Sequence, residues 1–366
     1  MSGVRNRARL TRWAPAVAVL GALLVAACGN QGGSSSSTTQ ATSSSTASGG
    51  GNQAVKSSLV LGINNPNYAT QAPIFIAREK GFFKDVGIQK IRVVTTDNFV
   101  QGLVGGSLDI SQGDTDQWLG AAAKSDKPIK YVATYRDKEW HIIGGKKGVD
   151  STRDLAGKTV TAGERGGRNE FVIKSVLKET GVDASSVKFV PLGGGSDARL
   201  QALINGQVDG ASIFPRHMAA LQKAGGKVLY KKLTTVPQEG IAVMGDWLAQ
   251  NEPTLVAYLT ATLKARQYMA DPAHKAEVVK IMRANKFELP DDFVAVYKTE
   301  TDQISKDGGF DPAEMDSLVK EEQDLDLLPA GLDWRKFVDL KALYQAQKAL
   351  GMRQRPAPSD VSASGS

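Results

Sequence analysis

The sequence predicts an α/β protein whose strands run mostly parallel, and two observations carry that expectation. From Ser58 onward, short apolar runs of strand length alternate with stretches of helical periodicity, the pattern that helices packed on a parallel sheet produce. The chain has 366 residues, of which 41% are hydrophobic. That exceeds what one core usually supports, so two lobes are expected.

Taken in order, the pattern predicts a strand over 59–63, then a helix over 72–80 ended by Gly81, with Phe82 and Phe83 packing back. A strand over 91–95, a helix over 98–105, a strand over 108–111, a helix over 115–124 and a strand over 129–134 complete the first unit. The chain then changes character. The apolar run at His141-Ile142-Ile143 leads into Asp154-Leu155-Ala156-Gly157-Lys158-Thr159-Val160. A helix over 169–180, a strand over 187–190, a helix over 198–205 and a strand over 210–214 make a second, smaller α/β unit. After an extended run over 241–244 the pattern is helical, for example over 253–270 and 273–285. The stretch 353–366, rich in Pro and Ser, is expected to be disordered.

The N-terminus carries a different signal. Arg5, Arg7, Arg9 and Arg12 precede an apolar run over 13–27, which is closed by Cys28, the single cysteine of the chain. A basic start, a short apolar stretch and small residues before a cysteine are the anatomy of an export signal. The apolar run, interrupted by Pro15, falls short of the roughly 20 residues that a spanning helix needs. The segment resembles a bacterial lipoprotein signal, which implies cleavage after residue 27, lipidation of Cys28 and anchoring at the extracytoplasmic face of the cell membrane. Residues 28–56, dominated by Ser, Thr, Gly and Gln, read as a flexible tether. A glycosylated stalk is the alternative.

Removing 1–27 takes away four arginines and no acid, so the formal charge falls from +7 to +3. No basic run remains for nucleic acid, and the charges are interspersed as on an ordinary solvated surface. With Cys28 committed to lipid, disulfides, thiolate metal sites and cysteine catalysis are excluded. His141, His217 and His274 lack a companion carboxylate spacing, so no metal is expected. The chain carries no nucleophile elbow, Walker loop or dinucleotide fingerprint, and neither an enzymatic activity nor a cofactor is expected.

Four motifs then occur in order: Ala77-Arg78-Glu79-Lys80-Gly81-Phe82-Phe83, the segment from Gly106 to Thr115 with Asp109-Ile110-Ser111-Gln112-Gly113-Asp114, Asp154-Leu155-Ala156-Gly157-Lys158-Thr159-Val160, and Leu203-Ile204-Asn205-Gly206-Gln207-Val208-Asp209-Gly210-Ala211. Together they resemble the nitrate/sulfonate/taurine-type solute-binding proteins of ABC importers, a group that includes pyrimidine-precursor binders. The resemblance implies the type II periplasmic-binding-protein fold, in which two α/β lobes are joined by two crossover segments. By that resemblance, lobe I combines 57–140 with 238–352, lobe II is 141–237, and the ligand lies in the cleft between them. It also implies a monomer that hands a small-molecule solute to an ABC permease.

The candidate ligand-binding residues follow strand ends. Asn65 and Tyr68 lie in the turn after the first strand, where turn chemistry alone would also select Asn and Pro. Gly113, Asp114, Thr115 and Asp116 follow the third strand, and Asp114 or Thr115 is also suited to cap the next helix. Tyr135 and Arg136 follow the fourth strand. The turn Gly163-Glu164-Arg165-Gly166-Gly167-Arg168 offers backbone N–H groups at a helix start, where an anion is favoured, so Arg165, Gly166, Gly167 and Arg168 are candidates. An ordinary glycine-bearing loop with solvated arginines explains the same residues. Phe214 and Arg216 stand where the family commonly carries an aromatic-x-Pro. Arg216 suits bidentate contact with a carboxylate or sulfonate, and equally a salt bridge across the closed lobes. The arginines favour a small anion of the sulfonate, nitrate or taurine type. Tyr68, Trp118, Tyr135, Trp140 and Phe214 instead suit a heteroaromatic ring such as a thiamine pyrimidine precursor or riboflavin. An extracytoplasmic enzyme or a sensory lipoprotein on the same fold is the reading from another class.

Overall fold

A computed structural model describes residues 53–63, 69–193, 195–287, 289–291 and 293–361. Cys28, Asn65 and Tyr68 lie outside the described residues. One mixed sheet of eight strands runs through the molecule in the order β2-β1-β3-β8-β4-β7-β5-β6. In the first lobe β1 (Ser58–Ile63) pairs in parallel with β2 (Lys90–Thr95) and β3 (Ile110–Asp114). In the second, β5 (Thr159–Thr161) pairs in parallel with β6 (Lys188–Phe189) and β7 (Gly210–Ser212).

The two parallel triplets are joined by an antiparallel ribbon. Strand β4 (Ile129–Gly145) and strand β8 (Lys227–Met244) pair along almost their whole length, from Ile129 opposite Met244 to Gly145 opposite Lys227. These are the two crossovers. Each is much longer than the sequence pattern predicts, because the middle of the ribbon alternates charged and polar residues that read as loop. Arg136, Lys138 and Glu139 on β4 face a partner strand carrying Lys231, Lys232, Thr234 and Thr235. The backbone ladder holds them extended despite their low strand propensity.

Helices cover both faces. Lobe I has α1 (Ala72–Glu79), α2 (Phe82–Asp85), α3 (Phe99–Val104) and α4 (Thr115–Lys124). Lobe II has α5 (Arg168–Glu179), α6 (Gly195–Ile204) and α7 (Met218–Lys223). The chain then returns to lobe I through α8 (Gly245–Ala270), α9 (Lys275–Ala284), α10 (Phe293–Thr301), α11 (Pro312–Asp324) and α12 (Lys341–Ala349), and closes with α13 (Pro358–Val361). Gly81 ends α1 at φ +77°, a conformation that costs a glycine nothing. Helix α8 kinks at Asn251, two residues before Pro253.

One large apolar core takes residues from 59 to 135 together with the C-terminal helices, including Leu61, Ile76, Trp118, Tyr258, Met315 and Leu343. Two smaller cores belong to lobe II, one around Leu155, Val160 and Leu177, the other around Leu203, Ile213 and Leu221. Among the described residues no helix is long and apolar enough to cross a membrane.

The stretch expected to be disordered is ordered as far as Val361. Arg355 reaches back to Asp137 on β4 at 2.7 Å and to Asp307 at 2.8 Å, and it donates to the carbonyl of Gly309 at 3.0 Å. Pro356 behind it is buried. Composition suggests disorder here, but one arginine with two carboxylate partners overrides it. Because Asp137 is almost fully buried, Arg355→Ala should leave it with Lys138 as its one remaining charged partner among the described residues and lower stability by about 1 to 3 kcal/mol. Urea unfolding of the two chains checks this, with an unchanged midpoint as the contrary result.

Candidate functional site

Where the ribbon passes between the lobes it encloses a cavity of about 40 Å³. Its walls come from all three parts of the molecule: Thr70, Glu300 and Gln303 from lobe I, Phe214 and Arg216 from lobe II, Arg136 and Glu239 from the ribbon itself. Arg136 Nη2 and Glu239 Oε1 pair at 2.7 Å across the ribbon. Burial alone would lower the Arg136 pKa, but Glu239 and Glu139 more than offset it, so the guanidinium stays charged. The second oxygen of Glu239 is buried without a partner.

The two lobes touch across this cavity. The backbone N–H of Arg216 donates to Glu300 Oε1 at 2.9 Å, and its side chain donates to Ser196 Oγ at 2.8 Å, with Asp197 Oδ2 at 3.7 Å and the Phe214 ring 5.1 Å away. Trp140 donates its indole N–H to the carbonyl of Thr299 at 2.8 Å. Arg168, at the first turn of α5, meets Glu321 at 2.6 Å and Glu322 at 3.1 Å on α11, and Glu139 on the ribbon at 3.3 Å. Burial works against ionising Glu139, but His141, Arg168 and Arg136 hold its pKa down at about 2. Burial, with Asp116 adding to it, lifts Glu322 to about 7.

Beside the cavity, Asp114 and Glu239 are direct cross-strand partners at the end of β3. A half-buried carboxylate beside a buried one cannot ionise cheaply. Burial, then Glu239 and Asp116, push Asp114 up to about 8. Its carboxyl accepts a hydrogen bond from Gln117 Nε2 at 3.2 Å.

The structure thus brings together some of the residues singled out from the sequence and places others elsewhere. Phe214 and Arg216 line the cavity, Asp114 borders it, and Asp116 sits in the field of Arg168. Gly113 belongs to the core. It lies opposite Gly240, and the Phe99 ring occupies the space a side chain would need. Thr115 is buried and donates to the carbonyl of Pro237 at 2.5 Å. Tyr135 is buried and accepts from Gln71 Nε2 at 3.1 Å, and Trp118 packs edge-on against Phe99 at 5.1 Å. Neither ring is placed to stack on a solute. Arg165 is exposed, its guanidinium 3.5 Å from the carbonyl of Phe189. In the glycine turn the N–H of Gly166 donates to Glu170 Oε2 at 3.1 Å, so a carboxylate of the chain itself takes part of the expected anion position, while Gly167 precedes the first residue of α5.

Sequence reasoning points to Arg136 beside Tyr135 but misses Thr70, Glu239, Glu300 and Gln303. A buried Glu239 next to the apolar run Ile241-Ala242-Val243 was the one local signal available. Glu300 on α10 and Gln303 in the turn after it arrive from more than 50 residues further along the chain, and no spacing announces them. Among the described residues no group of three His, Asp or Glu is placed to hold a metal.

Comparison with known proteins agrees with this architecture. A family model described as NMT1/THI5 like matches residues 68–276. A binding protein of Bacillus subtilis (strain 168), YtlA, is 25% identical over 269 residues, 69% of this chain and 76% of that one. The bicarbonate-binding protein CmpA of a Synechococcus species is 25% identical over 251 residues, covering 59% of this chain and 55% of CmpA, so the chain spans about half the length of that relative. The crystal structure of the periplasmic aliphatic sulphonate binding protein SsuA from Escherichia coli superposes with a TM-score of 0.60 at 18% identity, covering 78% of this chain and 92% of that one.

The raised Asp114 has a consequence for stability. Its folded pKa of about 8 lies above the unfolded value of about 3.9, so the stability it contributes is full below about pH 4 and is lost as pH rises through about 8. Asp114→Asn removes the ionisation, and its melting temperature relative to the parent should rise steadily between pH 5 and pH 9. A difference that is flat with pH, in thermal melts of both chains, would contradict the assignment.

Proposed function

The chain belongs to the NMT1/THI5-like family, and from that premise we propose that it is the solute-binding component of an ABC importer. In this reading it captures a small organic or inorganic anion between its lobes and passes it to a membrane permease, performing no chemistry on it. The observation that carries the proposal is the cavity itself: both lobes and both strands of the ribbon contribute to its walls. A solute there contacts both lobes only when they are closed, so it favours the closed state by the difference in affinity.

The anion reading draws on two supports. The relatives named above bind bicarbonate and sulphonate, and Arg136 and Arg216 both reach the cavity wall. At about 40 Å³ the closed cavity suits a solute of a few atoms, well below the roughly 300 Å³ at which pockets for larger organic ligands begin. Among the described lining residues Phe214 is the only ring, so the heteroaromatic alternative has less support. The signal segment at 1–27 and Cys28 supply the remaining parts of the reading: export, lipid anchoring at the extracytoplasmic face, and a monomer held near its permease by the 28–56 tether.

Calorimetric titration with bicarbonate, nitrate and a series of alkanesulfonates tests this. One of them should bind, and Arg216→Ala should weaken it by about 1.5 to 3 kcal/mol, the range for a hydrogen bond to a charged group. Arg216→Lys should recover part of the loss, because an ammonium lacks the planar fork that matches an oxyanion. No binding by any of these anions, or equal affinity in Arg216→Ala, would overturn the anion reading.

A further inference from the structure

Lobe I contains a second cavity, of about 330 Å³, several times larger than the one between the lobes. It lies between the end of α8, the start of α9, helix α10 and the segment after it. Helix α10 is a shared wall: Glu300 faces the interlobe cavity, while Tyr297, Lys298 and Thr301 face this one. Part of the lining is apolar, from Met269, Pro272, Tyr297 and Ile304.

The rest is cationic. Arg266, Lys275, Lys298 and Lys306 stand against a single acid, Asp302, which is paired with Lys298 at 2.5 Å. Arg266 is the unusual member. It is 4% exposed, and through Nη1 it donates to the carbonyls of Thr134 and Ser305. Its Nε is buried without an acceptor, and it forms no ion pair among the described residues. The carboxylates nearest in its field, Asp307 and Asp137, are both engaged by Arg355. Burial therefore dominates and lowers the Arg266 pKa. A buried guanidinium with an unused donor is costly unless something completes it. Two carbonyls alone supply no negative charge.

We propose that this cavity is a second ligand site, for an amphipathic organic anion whose carboxylate or sulfonate head meets Arg266 and the surrounding lysines while its apolar body lies against Met269, Pro272, Tyr297 and Ile304. The positive charge of Arg266 at the wall, with the lysines adding attraction at the mouth, fits such a head. The apolar wall selects against bare inorganic anions, which gain nothing there. The inference is independent of what the interlobe cavity binds.

Fluorescence titration with 1-anilinonaphthalene-8-sulfonate tests it on the full chain. Saturable binding of one probe per chain is expected, displaced by octanoate and not by octylammonium. Arg266→Gln should weaken it by about tenfold or more, equivalent to about 1.4 kcal/mol. Lys306→Glu, at an exposed position, and Lys275→Glu, whose ammonium lies over the Tyr297 ring, should each weaken it several-fold. Arg216→Ala, in the interlobe cavity, should leave it unchanged. If Arg266→Gln fails to fold, the two lysine variants still decide. The proposal is overturned by absence of binding, by equal affinity in the lysine variants, by equal displacement with octylammonium, or by loss of binding in Arg216→Ala alone.

Discussion

Arg168 is the group on which the arrangement of the lobes depends. It projects from the start of α5 in lobe II and is met by Glu321 and Glu322 from α11 in lobe I and by Glu139 from the ribbon. Three carboxylates around one guanidinium leave an excess of negative charge in a half-buried place, and the structure absorbs it unequally. Glu139 is held ionised at about 2, whereas Glu322 is lifted to about 7. Such a cluster contributes little net stability when intact, because desolvation offsets the attraction, but removing its one cation would leave buried charges uncompensated. Its effect is to specify how the lobes meet. The Arg216 N–H to Glu300 and the Trp140 indole to Thr299 complete the same contact.

The β4–β8 ribbon makes that contact possible. Each strand belongs to both lobes, pairing with a parallel triplet at one end and with the other strand throughout. A two-stranded ribbon twists and bends more readily than a wide sheet, and register shifts at Thr134/Arg136 and Arg136/Lys138 fall near its middle. Arg136 and Glu239 sit at this stretch and form the floor of the interlobe cavity. Placing charged residues at the hinge ties the polarity of the site to the geometry of closure.

Much of the fold was legible in the sequence, because each lobe's strands are buried apolar runs and its helices are strongly periodic. Helix α4 falls where the pattern over 115–124 puts it. The ribbon was not legible. Arg136, Lys138, Glu139, Lys231 and Lys232 are poor strand formers, and only pairing with a strand about 100 residues away makes them extended. Arg355 was read as part of a disordered tail for the same reason, since Asp137 and Asp307 are far off in sequence. In the site, Phe214 and Arg216 stood out as an odd pair at a strand end, and the structure places both on the cavity. At the glycine turn 163–168 the Gly166 amide is taken by Glu170 of the same helix and Arg168 is drawn to acids from α11. Residues at the strand ends of the two lobes could be found, but their partners from the returning C-terminal helices could not.

The central claim is that Arg168 sets the balance between closed and open lobes. Spin labels at Ser175→Cys on α5 and Ser317→Cys on α11, in a chain carrying Cys28→Ser, report the distance between lobes by pulsed dipolar spectroscopy. Without solute at pH 7.5 the parent is expected to populate a narrow short distance beside a longer one, and Arg168→Gln the longer one alone. The same distribution in both chains would contradict the account.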